Sequence, residues 1–306
     1  SQTDLNELLE YSFGFNAYME HLTACRSFVI DGMINKCSFI ADGDDNEIEP
    51  ARPLSPIAEE DAESKDADSN DALPPPPVPP IKRKGITKLT AQIYAPLKAH
   101  ETEADVVAND ITLDKQLIIT GPNAAGKTTV IKSTLFNIII SQQLGYGFYK
   151  CAEINPYDFL HCYLNIPDTS GRDSLFQAES RRCMEILRCI MENPAKRHFC
   201  IFDELYSGTN PYEAVAAAYG YIDYISKNPK VDLILTTHYI ELCELLETRN
   251  AGAITNLHMS VCADTGTYLY KIADGISTIK GGLKVLRDLD YPIEIVESAK
   301  QIIDRK

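Results

Sequence analysis

A three-layer α/β fold, with a parallel central sheet between layers of helix, is predicted by three observations. First, Leu117-Ile-Ile-Thr runs straight into Gly121-Pro-Asn-Ala-Ala-Gly-Lys-Thr-Thr129. That is a strand feeding a G-x-x-x-x-G-K-[ST] loop that opens a helix. Second, the short apolar runs at 199–202 and 231–236 do not alternate with polar residues, which suits strands buried on both faces. Third, segments of helical period lie between those runs, giving the βαβ alternation of a parallel sheet.

The loop is built to capture an anion. Gly121 and Gly126 let the backbone bend until successive N–H groups face a phosphate, and the following helix start adds partial positive charge. Lys127 is placed to reach the β- and γ-phosphates of a nucleotide, and the Thr128 hydroxyl to meet Mg²⁺. Asn123 is expected within the same pocket. The alternative, a chance glycine-rich turn, does not account for the strand before and the helix after.

Taken in order, residues 1–40 carry Leu5, Leu8, Leu9, Phe15, Tyr18 and Leu22 at near-helical spacing, predicting a short N-terminal helical segment. Residues 41–85 change character. Between residues 41 and 72, twelve acidic residues stand against Arg52 and Lys65, which supplies −10 of the chain's net charge of −15. A polyproline run at 74–80 and Lys82-Arg83-Lys84 follow. Such a stretch buries too little apolar surface to offset the entropy of ordering, and reads as a disordered insertion.

The folded pattern resumes at residue 86 and is expected to continue to 306. Residues 88–96 alternate like a strand, with Leu89, Ala91 and Ile93 on one side. Strands at 111–113 and 117–120 lead into a helix over 129–143, and 174–193 reads as an amphipathic helix closed by Asn193-Pro194. Helices are expected at 211–227 and 239–247. Residues 256–262 and 267–272 form a hairpin across Asp264-Thr-Gly266. Pro292 opens a last helix, with Ile293, Val296, Ile302 and Ile303 as its expected buried face.

The nine cysteines are scattered, with no C-x-x-C pair, and Cys183 and Cys189 lack a ligand spacing. Free thiols in a reducing compartment are expected, and the spacing argues against a zinc site. No signal peptide is evident, and the apolar run at 131–144 is too short and polar to span a bilayer. An intracellular protein without a membrane segment follows, cytoplasmic or nuclear. The first residue is Ser rather than Met, which fits a processed chain or a piece of a longer one.

Two further runs complete the candidate site. Phe199-Cys-Ile-Phe ends in Asp203-Glu204; beside a phosphate loop, the first acid suits the Mg²⁺ shell and the second the attacking water. Leu235-Thr-Thr-His238 places a histidine at the end of another buried strand, where strand C-termini converge on a ligand crevice. His238 can meet the γ-phosphate there, or instead cap the helix that follows.

Three of these segments closely resemble the hallmark motifs of the MutS DNA mismatch-repair ATPases: Gly121–Thr129, Asp203-Glu-Leu-Tyr-Ser-Gly-Thr-Asn210 and Thr236-Thr-His-Tyr-Ile-Glu-Leu242. The resemblance spans roughly 86–304, and 5–40 is weakly similar to the helical lever that precedes the ATPase domain in that family. It implies an ABC-class P-loop NTPase that binds ATP and Mg²⁺ and hydrolyses ATP. In that scheme Glu204 is the general base, His238 a γ-phosphate sensor, and Thr128 and Asp203 hold the metal. Ser170-Gly-Arg-Asp-Ser-Leu-Phe-Gln-Ala-Glu179 resembles the segment whose serine reaches the nucleotide of the opposite protomer. Ser174 is the candidate, Ser170 the alternative, and an ordinary helix-capping role equally open. Tyr270 matches the aromatic that stacks on adenine, or is a cross-strand aromatic; Val106-Val107 stand where relatives carry another aromatic.

The resemblance further implies a homo- or heterodimer through the ATPase domain, with DNA engaged by the assembly or by domains not found here. No mismatch-reading wedge, connector or clamp is recognisable. An ABC-type ATPase of recombination, or a slow-turnover ATP-binding regulatory module, are the rival functions.

Overall fold

Both apolar runs that suggested a parallel sheet pair at its centre. In the computed structural model, β4 (Gln116–Thr120), β7 (Phe159–Tyr163), β8 (His198–Asp203), β9 (Val231–Thr237), β10 (Ile254–Val261) and β11 (Tyr268–Asp274) form a six-stranded sheet. Its order is β11-β10-β4-β9-β8-β7, parallel throughout except for the β10–β11 hairpin. The structure describes residues 23, 26–40, 85–98, 106–164, 166, 174–249, 252–262, 265–277, 279 and 281–303. Most of the expected N-terminal helical segment, and the acidic and proline-rich stretch up to residue 84, lie outside the described residues.

The central strands are apolar on consecutive residues because each of their faces meets a different layer. Leu117, Ile119, Phe199, Ile201 and Ile234 pack with Val130, Ile131 and Ile138 of α2 (Lys127–Leu144). Ile118, Cys200, Phe202, Leu233 and Leu235 face the other way. There they meet Cys183, Ile186 and Ile190 of α3 (Leu175–Glu192), Ala214, Ala218 and Ile222 of α4 (Pro211–Ser226), and Leu242 and Leu246 of α5 (Ile240–Arg249). Phe199, Phe202, Ile118 and Ile119 are wholly buried, each worth about 1.5–3 kcal/mol relative to exposure. The result is a mixed α/β fold with helices on both sides of the sheet.

A second, five-stranded sheet covers the α2 side. It comprises β1 (Asn35–Phe39), β2 (Lys88–Gln92), β3 (Asn109–Thr112), β5 (Tyr146–Gly147) and β6 (Cys151–Ile154), in the order β3-β2-β6-β1-β5. Its Cys37, Leu89, Ile111, Ala152 and Ile154 join the same core as α2.

Three expectations are corrected. Residues 35–39, read within a helical segment, form a strand that pairs parallel to β6 and antiparallel to β5; 26–30 are helical. The alternation expected from Leu89 through Ile93 breaks at Ala91, whose φ is +51°. The register shifts there, turning Gln92 inward to donate to Thr134 Oγ1 at 2.7 Å. The strand then gives way to the short α1 (Ala95–Lys98). In the last helix, α7 (Ile293–Ile303), Val296 is buried, whereas Ile293 and Ile302 are each 61% exposed. α6 (Gly282–Asp288) precedes it. Among the described residues no helix is long and apolar enough to cross a membrane.

Candidate functional site

The C-terminal ends of β4, β8 and β9 converge on one cleft of about 740 Å³, lined on its polar side by Pro122, Asn123, Ala124, Gly126, Lys127, Thr128, Thr129, Asp203 and Glu204. Gly121 follows β4 directly and takes φ +152°, with Met259 Cβ only 3.1 Å from where a side chain would begin. Ala125 is buried beneath the loop and bonds back to the Pro122 carbonyl. Gly126 is the N-cap of α2 at φ +97° and offers no side-chain cap. The first N–H groups of a helix lack intrahelical partners, so an uncapped start beside a cleft is suited to an anion.

Lys127 is 5% exposed, and its ammonium donates to the Gly121 carbonyl at 2.8 Å and the Pro122 carbonyl at 3.3 Å. It lies 3.5 Å from Glu204. One residue on, the Thr128 hydroxyl lies 2.9 and 3.1 Å from the two carboxylate oxygens of Asp203. Asp203 ends β8 opposite Thr236 of β9, whose hydroxyl donates to it at 2.5 Å. A hydroxyl and a carboxylate held together at a helix start are hard oxygen donors, the set that suits Mg²⁺ rather than a softer ion.

Glu204 sits just past the strand in the left-handed region, φ +53°, with its N–H donating to the Thr236 carbonyl at 3.0 Å. His238 Nδ1 lies 3.7 Å from the Glu204 carboxylate, longer than a hydrogen bond. Glu204's pKa is lowered; contact with His238 is the largest cause, partial burial opposes it, and the Lys127 charge adds to it. The carboxylate is therefore ionised throughout the neutral range. Three residues that line the cleft, Ala124, Glu204 and Tyr270, are among the six non-glycine residues with positive φ in the described chain. Such conformations cost on the order of 1 kcal/mol each and gather where geometry matters more than stability.

The apolar side of the cleft is formed by Tyr94, Leu97, Val106, Val107 and Tyr270. Tyr270 is half exposed, and its carbonyl is held by Asn109 Nδ2 at 2.9 Å. Its ring lies edge-on to Tyr268 of the same strand, with centroids 6.4 Å apart, and it lines the cleft. Val106 and Val107 do line the cleft, but so does Tyr94, an aromatic that sequence reading missed because the bulge in β2 redirects the chain.

Ser174 lies outside this cleft's lining. It is the N-cap of α3 and forms a reciprocal capping box with Gln177. Ser170 lies outside the described residues. A second residue of that segment, Glu179, also emerged only in the fold. It is buried on α3, and its carboxylate accepts from Ser207 N at 3.0 Å, Ser207 Oγ at 2.9 Å and Gly208 N at 3.1 Å. It thereby ties the loop that follows Asp203-Glu204 to α3. Gly208 packs so closely there that a side chain would begin 2.7 Å from Leu175 Cγ.

Comparison with known proteins adds an independent result. Residues 117–305 match the family model described as MutS domain V. The DNA mismatch repair protein MutS of Persephonella marina is 29% identical over 206 residues, covering 65% of this chain and 23% of that protein. The DNA mismatch repair protein msh3 of Emericella nidulans is 29% identical over 206 residues, 64% of this chain and 18% of that protein. MutS of Listeria monocytogenes is 30% identical over 208 residues, covering 65% and 23%. The chain thus spans about a fifth of the length of these relatives.

Proposed function

The chain belongs to the MutS family, and on that premise we propose that it is an ATP-binding and ATP-hydrolysing P-loop domain of the ABC class. The unit runs over 86–306 and includes the strand at 35–39, which pairs into its second sheet. Turnover at this site serves DNA mismatch repair, the activity carried in its relatives' names. One observation carries the reading: Lys127, Thr128, Asp203 and Glu204 line one cleft, with His238 beside Glu204, although they come from three separate stretches of chain.

The triphosphate sits on the Gly121–Thr129 loop, with amides of the α2 start and the Lys127 ammonium facing its oxygens. Lys127 exchanges the loop carbonyls it now holds for phosphate. Mg²⁺, when bound, would be held by the Thr128 hydroxyl and the Asp203 carboxylate, and would neutralise charge on the phosphates. Glu204 accepts a hydrogen bond from the attacking water and takes its proton as the water oxygen bonds to the γ-phosphorus and ADP leaves. His238 orients Glu204 and reports the γ-phosphate. Adenine stacks on Tyr270, with Tyr94 on the cleft's other aromatic edge. Ser174, at a helix start outside the cleft, serves the nucleotide of a second protomer, so the active form is a homo- or heterodimer. DNA contact belongs to that assembly, inside the cell.

The Glu204→Gln variant separates binding from chemistry. It is expected to bind ATP within about threefold of the parent while turnover falls by roughly 10²-fold or more, the usual range for a lost general base. Near-normal turnover by that variant removes Glu204 from the role.

A further inference from the structure

Far from the cleft, three potential metal ligands meet in the layer between the sheet and α3. One ring nitrogen each of His161 and His198 and the Sγ of Cys189 all lie within 4.8 Å of one another. Strand pairing brings the histidines together. Phe159 of β7 is in register with His198 of β8, and His161 is two residues along on the same face. The rings of Phe159, His161 and His198 stack, 9° to 12° from parallel. Cys189 comes from α3, which covers that face of the sheet.

We propose that His161, His198 and Cys189 form a binding site for one Zn²⁺ ion, remote from the nucleotide. His198 and Asp203 bracket β8, so the two sites are roughly 17 Å apart along the strand at about 3.3 Å per residue. The donor set, two imidazoles and a thiolate, is borderline-soft and matches Zn²⁺, with a fourth position left for water. His161 Nε2 and His198 Nδ1 are 3.0 Å apart, close to the edge of a zinc tetrahedron, about 3.3 Å for Zn–N bonds of about 2.0–2.1 Å.

The surrounding contacts aim these donors. His198 Nε2 donates to the Asn193 carbonyl at 2.9 Å, which leaves Nδ1 as the bare nitrogen facing His161. A carbonyl holding a ligand histidine's other N–H is the usual way such a ligand is oriented. Both histidines are buried and Cys189 is partly exposed, so the ion enters and the water sits on the cysteine side. On binding, the Cys189 thiol releases one proton to solvent. His161 shifts its own proton from Nε2, which now donates to His198 Nδ1, to its Nδ1, so that the Nε2 lone pair is free for the metal. The spacing argued against zinc because residues 161, 189 and 198 form no sequence motif; only the β7–β8 register and the α3 overlay bring them together.

Cobalt reports the site directly. The chain is stripped with a chelator and titrated with Co²⁺ in Mg²⁺-free buffer without nucleotide. One equivalent should bind with the intense thiolate-to-cobalt band and tetrahedral d–d bands, and Zn²⁺ should displace it stoichiometrically. Cys189→Ser should abolish the thiolate band and weaken binding by about tenfold or more. His161→Gln, checked for folding by circular dichroism, should weaken binding while retaining a thiolate band at high cobalt. Asp203→Asn should change neither. Absence of tight binding by the parent chain overturns the proposal, as does a thiolate band that survives in Cys189→Ser.

Discussion

Replacing Glu179 by glutamine changes one atom, yet it should loosen the loop that carries Glu204. The carboxylate is 2% exposed and accepts three hydrogen bonds from Ser207 and Gly208, two on one oxygen and one on the other. An amide offers a single acceptor oxygen, so either the Ser207 pair or Gly208 N–H then faces an NH₂ group. Hydrogen bonds to a charged acceptor are worth about 1.5–3 kcal/mol each, and a buried unmet donor costs about 1–3 kcal/mol. The three share one acceptor group and do not add, so a loss of about 2–4 kcal/mol is expected. Gly208 offers no slack, since even a methyl group there would strike Leu175. The chain has no tryptophan, so urea unfolding is followed by far-ultraviolet circular dichroism, comparing midpoints at a common slope. Turnover should fall with stability, because Ser207 lies only three residues after Glu204. A change below about 0.5 kcal/mol, within the range of ordinary surface substitutions, would refute the idea that Glu179 anchors this loop.

Two further perturbations address the cleft. His238 is the main cause of Glu204's lowered pKa, so His238→Ala should raise it. Activity that needs the carboxylate is lost as pH falls through the folded-state pKa; the acid limb of the rate profile should therefore move to higher pH, and an unmoved limb contradicts the pairing. Gly126→Ala puts a side chain at φ +97°, with its Cβ 3.2 Å from Tyr270 Cδ1. The strain is about 1–2 kcal/mol, and displacement of Tyr270 should weaken ATP binding by roughly tenfold in calorimetry; binding within twofold of the parent would show that neither matters.

What was legible in the sequence was what depends on local pattern. The strands 117–120, 199–202 and 231–236 read clearly because burial on both faces demands consecutive apolar residues. The Gly121–Thr129 loop and Asp203-Glu204 read clearly because their residue types sit at fixed offsets from those strands. Of the second sheet only β2 and β3 were legible, at 88–96 and 111–113; β1, β5 and β6 were not. β1 joins partners more than 100 residues away, across the acidic stretch, and its five residues carry no period that distinguishes strand from helix. Tyr94 escaped notice because the bulge at Ala91 breaks the alternation from which its direction was read. Glu179 and the His161–His198 pair depend on side chains meeting across elements, a relation that spacing along the chain does not encode. The exposed Ile293 and Ile302 of α7 show the converse: an apolar stripe marks a face suited to burial, whether or not a partner covers it.

The most direct measurement is ATP hydrolysis by the purified chain, with and without Mg²⁺, over a wide range of protein concentration. A composite site requires specific activity that depends on Mg²⁺, rises with concentration until dimers saturate, and disappears in Lys127→Ala. Hydrolysis no faster than that variant at any concentration, or a specific activity that stays constant while sedimentation shows only monomer, would contradict the account.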